Sequence, residues 1–225
     1  MSNIQQIDLP EVGIPVIPVD ALDSEEAYVV FLAIDASGSM DSYVMIMQQA
    51  LGSFKDAILN SKDAREFLIC RCDFHDRFNN SQMTGYAKLE DMETLYQTYG
   101  MTPLFDAIVN GKETFMKYRQ LLLDGGERVR GAFVVFSDGL NNNSFASESQ
   151  ARKAIEDLKQ SEIVTAFIGF GDEAQNIGAN LGFKNVMESN ADGHVLRGIF
   201  SVLSKSLSQN SKRVNGGTVL DGFQI

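Results

Sequence analysis

The short apolar run from Tyr28 to Ile34 ends abruptly in Asp35-Ala36-Ser37-Gly38-Ser39-Met40. A run of this length that carries Val29, Val30 and Ile34 reads as a buried strand of a parallel sheet. Directly behind it stand a carboxylate and two hydroxyls at alternate positions, with a glycine between the hydroxyls. Gly38 lets the backbone turn tightly enough for the neighbouring hydroxyls to converge. Asp and Ser are hard oxygen donors, the chemistry that magnesium takes at about 2.1 Å in a near-octahedral shell.

The rest of the chain alternates in the same way. Val44, Met47, Leu51, Phe54 and Ile58 fall three and four apart and predict a one-sided helix over about 42–60. A strand follows over 66–73, then an edge strand near 83–87. The acidic span 90–99 suits a short helix. Gly100-Met101-Thr102-Pro103-Leu104 opens another helix, with Thr102 as N-cap and Leu104, Ile108, Gly111, Phe115 and Tyr118 on its apolar face. Ala132 to Phe136 is a strand closed by Ser137-Asp138-Gly139. Ser147 with Gln150 forms a capping box for a helix through about Lys159. A strand over 163–170, a short helix near Asp172 and Gln175, a short strand at Val186-Met187 and a final helix through Val195, Ile199, Val202 and Leu207 complete the pattern. Such alternation implies an α/β fold, a doubly wound, mainly parallel sheet with helices on both faces. Ligands of open sheets sit beyond the carboxyl ends of the strands, which is where Asp35, Asp138 and the Thr102 loop fall.

Three domain segments are expected. Residues 1–22 hold three of the four prolines (Pro10, Pro15, Pro18) and form an extended arm that cannot be a central strand. Residues 23–208 are the domain, and 209–225 a C-terminal tail. A net charge of −11 and a pI near 4.6 argue against nucleic acid and against an anionic membrane surface as partners. Cys70 and Cys72 lie two apart on a strand, poorly placed for a disulfide, and read as small buried thiols. With no basic leader at Met1 to Leu9 and no long apolar run, the expected compartment is the cytoplasm.

Asp35-x-Ser37-x-Ser39, Thr102 within Thr102-Pro103-Leu104, and Asp138 within Phe136-Ser137-Asp138-Gly139 together resemble the von Willebrand factor type A (vWA) family and its metal-ion-dependent adhesion site. The resemblance runs from about residue 25 to 208. It implies a Rossmann-like vWA fold and a Mg²⁺ held directly by Ser37 and Ser39 and, in some states, Thr102. Asp35 and Asp138 would act through water or switch into contact. Mn²⁺ or Ca²⁺ can stand in for Mg²⁺. The remaining position would be filled by an Asp or Glu of a protein partner. Within the family the chain looks similar to compact intracellular bacterial members, the TerY-like proteins of stress and tellurite-resistance loci.

Each residue also has a plainer role open to it. Thr102 could only cap a helix, Asp138 close a turn, Asp35 be a hydrogen-bonded acid, and Ser37 and Ser39 cap the following helix. Asp41 is read as a surface acid of the first turn. The expected function is a metal-dependent protein-binding module and not an enzyme, because no histidine is placed near these elements as a base. The alternatives are a Mg²⁺-dependent phosphoesterase on the same site and an assembly subunit with a structural metal. Met40, Met101 and Leu140 adjoin the proposed ligands and are expected as an apolar collar, unless the methionines turn into the core.

Overall fold

The computed structural model describes residues 7–9, 14–22, 26–60, 67–76, 82–171 and 174–189. The expected final helix and C-terminal tail lie outside them. The strands are β1 (Ile7–Leu9), β2 (Ile14–Val16), β3 (Glu26–Asp35), β4 (Phe67–Phe74), β5 (Gln82–Lys88), β6 (Arg128–Ser137), β7 (Val164–Phe170) and β8 (Asn185–Ser189). The helices are α1 (Val44–Leu59), α2 (Leu104–Asp124), α3 (Glu148–Gln160) and α4 (Ala174–Asn180). Short 3₁₀ turns occupy Gly38–Tyr43 and Leu89–Asp91.

One six-stranded sheet has the order β5-β4-β3-β6-β7-β8, parallel throughout except for the antiparallel edge strand β5. From β3 the chain winds outward through α1 to β4. It then returns through α2 to β6 on the other side of β3 and continues to β7 and β8. Right-handed crossovers in opposite directions put helices on opposite faces. The winding therefore reverses between β3 and β6, whose carboxyl ends carry Asp35 and Asp138.

Alternation along β3 divides the core in two. Val29, Phe31 and Ala33 pack toward α2 and α3, where Leu104, Ile108, Phe115, Tyr118, Ile155 and Leu158 are buried. Tyr28, Val30, Leu32 and Ile34 pack toward α1, against Met47, Leu51 and Phe54. Gly111 is required on α2: a Cβ there would lie 2.7 Å from Phe31, in a ring pair with Phe133 stacked at 5.1 Å. Cys70 and Cys72 are both buried free thiols on the α2 side. Val16 and Ile17 join the same core, and the Tyr118 hydroxyl donates to the Ile17 carbonyl at 2.9 Å. No helix among the described residues is long and apolar enough to cross a membrane.

The span 90–99 departs from expectation. Beyond the single turn at Leu89–Asp91 it runs without helix, although Met92 and Tyr96 are buried at a helical spacing. Its carbonyls are taken by side chains from elsewhere. Arg71 donates to Glu93 and Leu95, Lys55 to Glu90 and Met92, and Gln48 to Tyr96. Arg71 is itself buried and braced by both oxygens of Asp73. These contacts satisfy the carbonyls of a segment that makes no i to i+4 ladder of its own.

Candidate metal centre

Asp35 ends β3 and is wholly buried. Its Oδ1 accepts from the Ser37 amide at 3.0 Å and its Oδ2 from the Ser137 hydroxyl at 2.6 Å. Ser137 ends β6, and its Oγ in turn accepts from the Gly139 amide at 3.0 Å. The loops after β3 and β6 are thus tied through one carboxylate. Burial raises the Asp35 carboxyl to about 7, against the lowering effect of the Ser137 and Ser37 hydrogen bonds. The nearby Asp138 charge adds a further push upward. Near neutral pH this group therefore keeps its proton much of the time unless a cation arrives.

The Thr102 loop is bound to the same place through two backbone pairs and one tyrosine hydroxyl. The Gly38 amide donates to Gly100 O at 3.1 Å, the Tyr99 amide to Ala36 O at 2.6 Å, and the Tyr96 hydroxyl to Asp35 O. Gly100 has φ +55°, and a Cβ there would collide with the Asp76 carboxylate. Asp76 accepts from the Met101 amide at 3.2 Å, so only glycine fits this approach. On the other side Asn142 Oδ1 accepts from the Thr102 amide at 2.8 Å, and the Thr102 carbonyl accepts from the amides of Asn142 and Asn143. The structure brings Asp35, Ser37, Ser39, Thr102 and Asp138 to one end of the sheet, in three mutually bonded loops.

Thr102 is not the helix cap. α2 begins at Leu104, Pro103 takes the cap position, and no side-chain cap bond forms there. The cap comes from the loop after β6. Ser144 Oγ accepts from the amides of Phe105 and Asp106 at 3.0 and 3.3 Å, and Asn141 Oδ1 from Phe105 at 3.3 Å. Asp106 returns the contact, its buried carboxylate accepting from the amides of Phe145 and Ala146. The Thr102 hydroxyl is left without a capping role. Ser37 likewise stands at the head of its 3₁₀ turn with no side-chain cap bond. Its Oγ lies 3.1 Å from that of Ser39. Ser37 is buried, whereas Ser39 is exposed. The plainer roles do hold for two residues: Asp138 Oδ1 accepts from the Leu140 amide at 3.0 Å, and Asp35 is a bonded acid. Asp41 is exposed and accepts from the Thr98 hydroxyl.

The donor set can be tested against the ion. All five side chains offer oxygen, which suits magnesium and calcium over zinc or copper. Adjacent ligands of an octahedron with ~2.1 Å bonds stand ~3.0 Å apart, against ~3.4 Å for the longer calcium bonds. The serine oxygens stand 3.1 Å apart as hydrogen-bonded hydroxyls, near enough to take adjacent positions around such an ion. The stretches 35–43, 95–106 and 137–147 carry Asp35, Asp41, Asp106 and Asp138 and no lysine or arginine. No cationic side chain of these loops offsets that charge, and a divalent cation would.

Two expectations need correction. Met40 is fully buried in the core under α1, so it forms no part of a collar. Met101 and Leu140 are half exposed, at 47% and 50%. A histidine does lie close by. His75 follows β4, its ring 5.4 Å from that of Tyr99 and its Nδ1 3.5 Å from Asp76. With Ala36 and Asp73 it lines a small hollow of about 60 Å³ beside the Thr102 loop. The supporting roles of Ser137, Asn141, Asn142, Ser144 and Asp106 depend on contacts between distant residues. The one local signal was the run Asn141-Asn142-Asn143-Ser144, rich in capping side chains yet placed before any helix of its own.

The sequence matches no family model and no curated protein. Solved structures resemble it in fold. The pilus adhesin SpaC from Lactobacillus rhamnosus GG superposes with a TM-score of 0.61 at 11% identity, over 84% of this chain. This chain spans only 31% of SpaC. The PilB minor pilin from Streptococcus sanguinis gives 0.60 at 14% identity, over 88% of this chain and 65% of PilB. The vWF domain of the type V pili tip protein Mfa5 from Porphyromonas gingivalis gives 0.54 at 11% identity, over 88% of this chain and 99% of that one. At these identities the likeness concerns fold alone. The architecture is that of a vWA domain, a doubly wound and mainly parallel α/β sheet.

Proposed function

We propose that the chain is a divalent-metal-dependent protein-binding module. Ser37, Ser39 and Thr102 would hold Mg²⁺ directly, with Asp35 and Asp138 supplying negative charge around it. An Asp or Glu of a partner protein would complete the shell. Bound there, the ion would supply a concentrated positive charge with a position open to a carboxylate. The chain's own residues do the rest. Ser137 and the Ser37 amide orient Asp35, while Asn142 positions the Thr102 backbone. The observation that carries this reading is the long-range cap on α2 by Ser144 and Asn141, which leaves the Thr102 hydroxyl uncommitted beside the Asp-x-Ser-x-Ser loop.

The intracellular bacterial setting, with its TerY-like stress or tellurite context, rests on the sequence resemblance. The pilus proteins that share the fold do not bear on it. The test is magnesium calorimetry on the intact chain and its Asp35→Ala variant, paired with partner capture with and without chelator. Saturable magnesium binding and chelator-sensitive capture, both lost in the variant, are expected. Capture indifferent to chelator would move the interface away from the metal.

A further inference from the structure

Seven large apolar side chains are exposed among the described residues, and five of them, Leu95 at 62% included, belong to the loops around the five oxygen donors. Tyr99 and Met101 flank Gly100 at 47% exposure each, Leu140 follows Asp138-Gly139 at 50%, and Phe145 stands at 76%. These are not loose loop tips. The amides of Met101 and Leu140 are held by Asp76 and Asp138. The Phe145 amide is held by both oxygens of Asp106. Fixing an exposed phenylalanine through a buried carboxylate orders the backbone beneath it before any partner arrives, and pre-ordering lowers the cost of binding.

The charge around this surface limits what can sit on it. The loops hold four aspartates and no lysine or arginine, on a chain of net charge −11. One carboxylate can reach the cation, but further acids beside it would face only like charge.

We propose that the partner presents a single acidic residue set among bulky apolar side chains, and not an acidic run. The acid takes the metal position, and its neighbours pack on Met101, Leu140 and Phe145. This rests on the metal reading given above. Burial of two such side chains against this rim favours the apolar-flanked acid by about tenfold or more.

Three synthetic peptides of equal length test it, titrated into the ¹⁵N-labelled intact chain at saturating Mg²⁺. One places Asp between Leu and Phe, one places it between Ser and Asn, and one is a run of Asp. The first should bind at least about tenfold tighter than the second and shift the amides of Met101, Leu140 and Phe145. The acidic run should gain nothing over the second at fixed ionic strength. The preference should vanish in a Leu140→Ser, Phe145→Ser double variant whose magnesium affinity and Tm are unchanged. Equal binding of the first two peptides, tightest binding by the acidic run, or a preference that survives in the variant overturns the proposal. Because the peptide comparison is made on the unaltered chain, it decides the matter even if the variant folds poorly. Absence of any magnesium binding would instead sink the metal reading, and this proposal with it.

Discussion

Replacing Asp35 with Asn should stabilise the metal-free protein, and by an amount that grows with pH. Burial holds the folded-state pKa near 7, against an ordinary 3.8 for an aspartate. The folded chain thus binds this proton more tightly than the unfolded chain does. Its contribution to stability is full below about pH 3.8 and declines as pH rises toward 7. The resulting penalty is ~2 kcal/mol at pH 5 and ~4 kcal/mol at pH 8. Asparagine cannot ionise and escapes it. The variant keeps an oxygen for the Ser37 amide but deprives the Ser137 hydroxyl of its acceptor. That costs about 1–2 kcal/mol at either pH. The difference between the two pH values is free of this cost, at ~2–3 kcal/mol. In chelator, the melting point of the variant relative to the parent should therefore rise by about 5–10 °C between pH 5 and pH 8 for a chain of this size. Saturating Mg²⁺ should raise the melting point of the parent only. A variant destabilised equally at both pH values would mean that Asp35 is already ionised in the metal-free fold at neutral pH, against a raised pKa.

Magnesium affinity in the parent should climb as pH rises toward 7 and level off above it, since the ion displaces the Asp35 proton; calorimetry across pH 5.5 to 8.5 checks this. Ser144→Ala removes the long-range cap of α2, so a melt should show a loss of ~1 kcal/mol and calorimetry a weaker magnesium site. Met40→Ala should cost ~2–4 kcal/mol as a core cavity, whereas Leu140→Ser should leave the Tm unchanged. His75→Ala tests the hydrolytic alternative. Magnesium-dependent partner binding should persist in it, and the parent should release no product from a generic phosphoester; turnover that disappears in the variant would favour an enzyme.

What could be read in the sequence was local or periodic. The alternation in β3 sends Phe31 to one core and Leu32 to the other, and a period of two needs no knowledge of neighbours. The Ser147 and Gln150 capping box lies within four residues and formed as expected. What escaped depends on contacts between distant residues. Thr102-Pro103 looks like an ordinary helix entry. The competing caps, Asn141 and Ser144, lie about forty residues downstream, in reach only once β6 stands beside β3. The span 90–99 has the composition of a helix, yet Arg71, Lys55 and Gln48 take its carbonyls. Met40 adjoins a proposed ligand in sequence but points into the core, because the 3₁₀ turn rotates it away from Ser39. His75 reaches Tyr99 only because β4 is the neighbour of β3.

The most direct test of the central claim is the anomalous diffraction of crystals of the intact chain grown with Mn²⁺, which substitutes for magnesium and scatters distinctively. A peak is expected about 2.1–2.2 Å from the hydroxyl oxygens of Ser37 and Ser39, with Thr102 and the two aspartates around it. No peak at these five residues under saturating Mn²⁺, or a peak only elsewhere on the molecule, would contradict it.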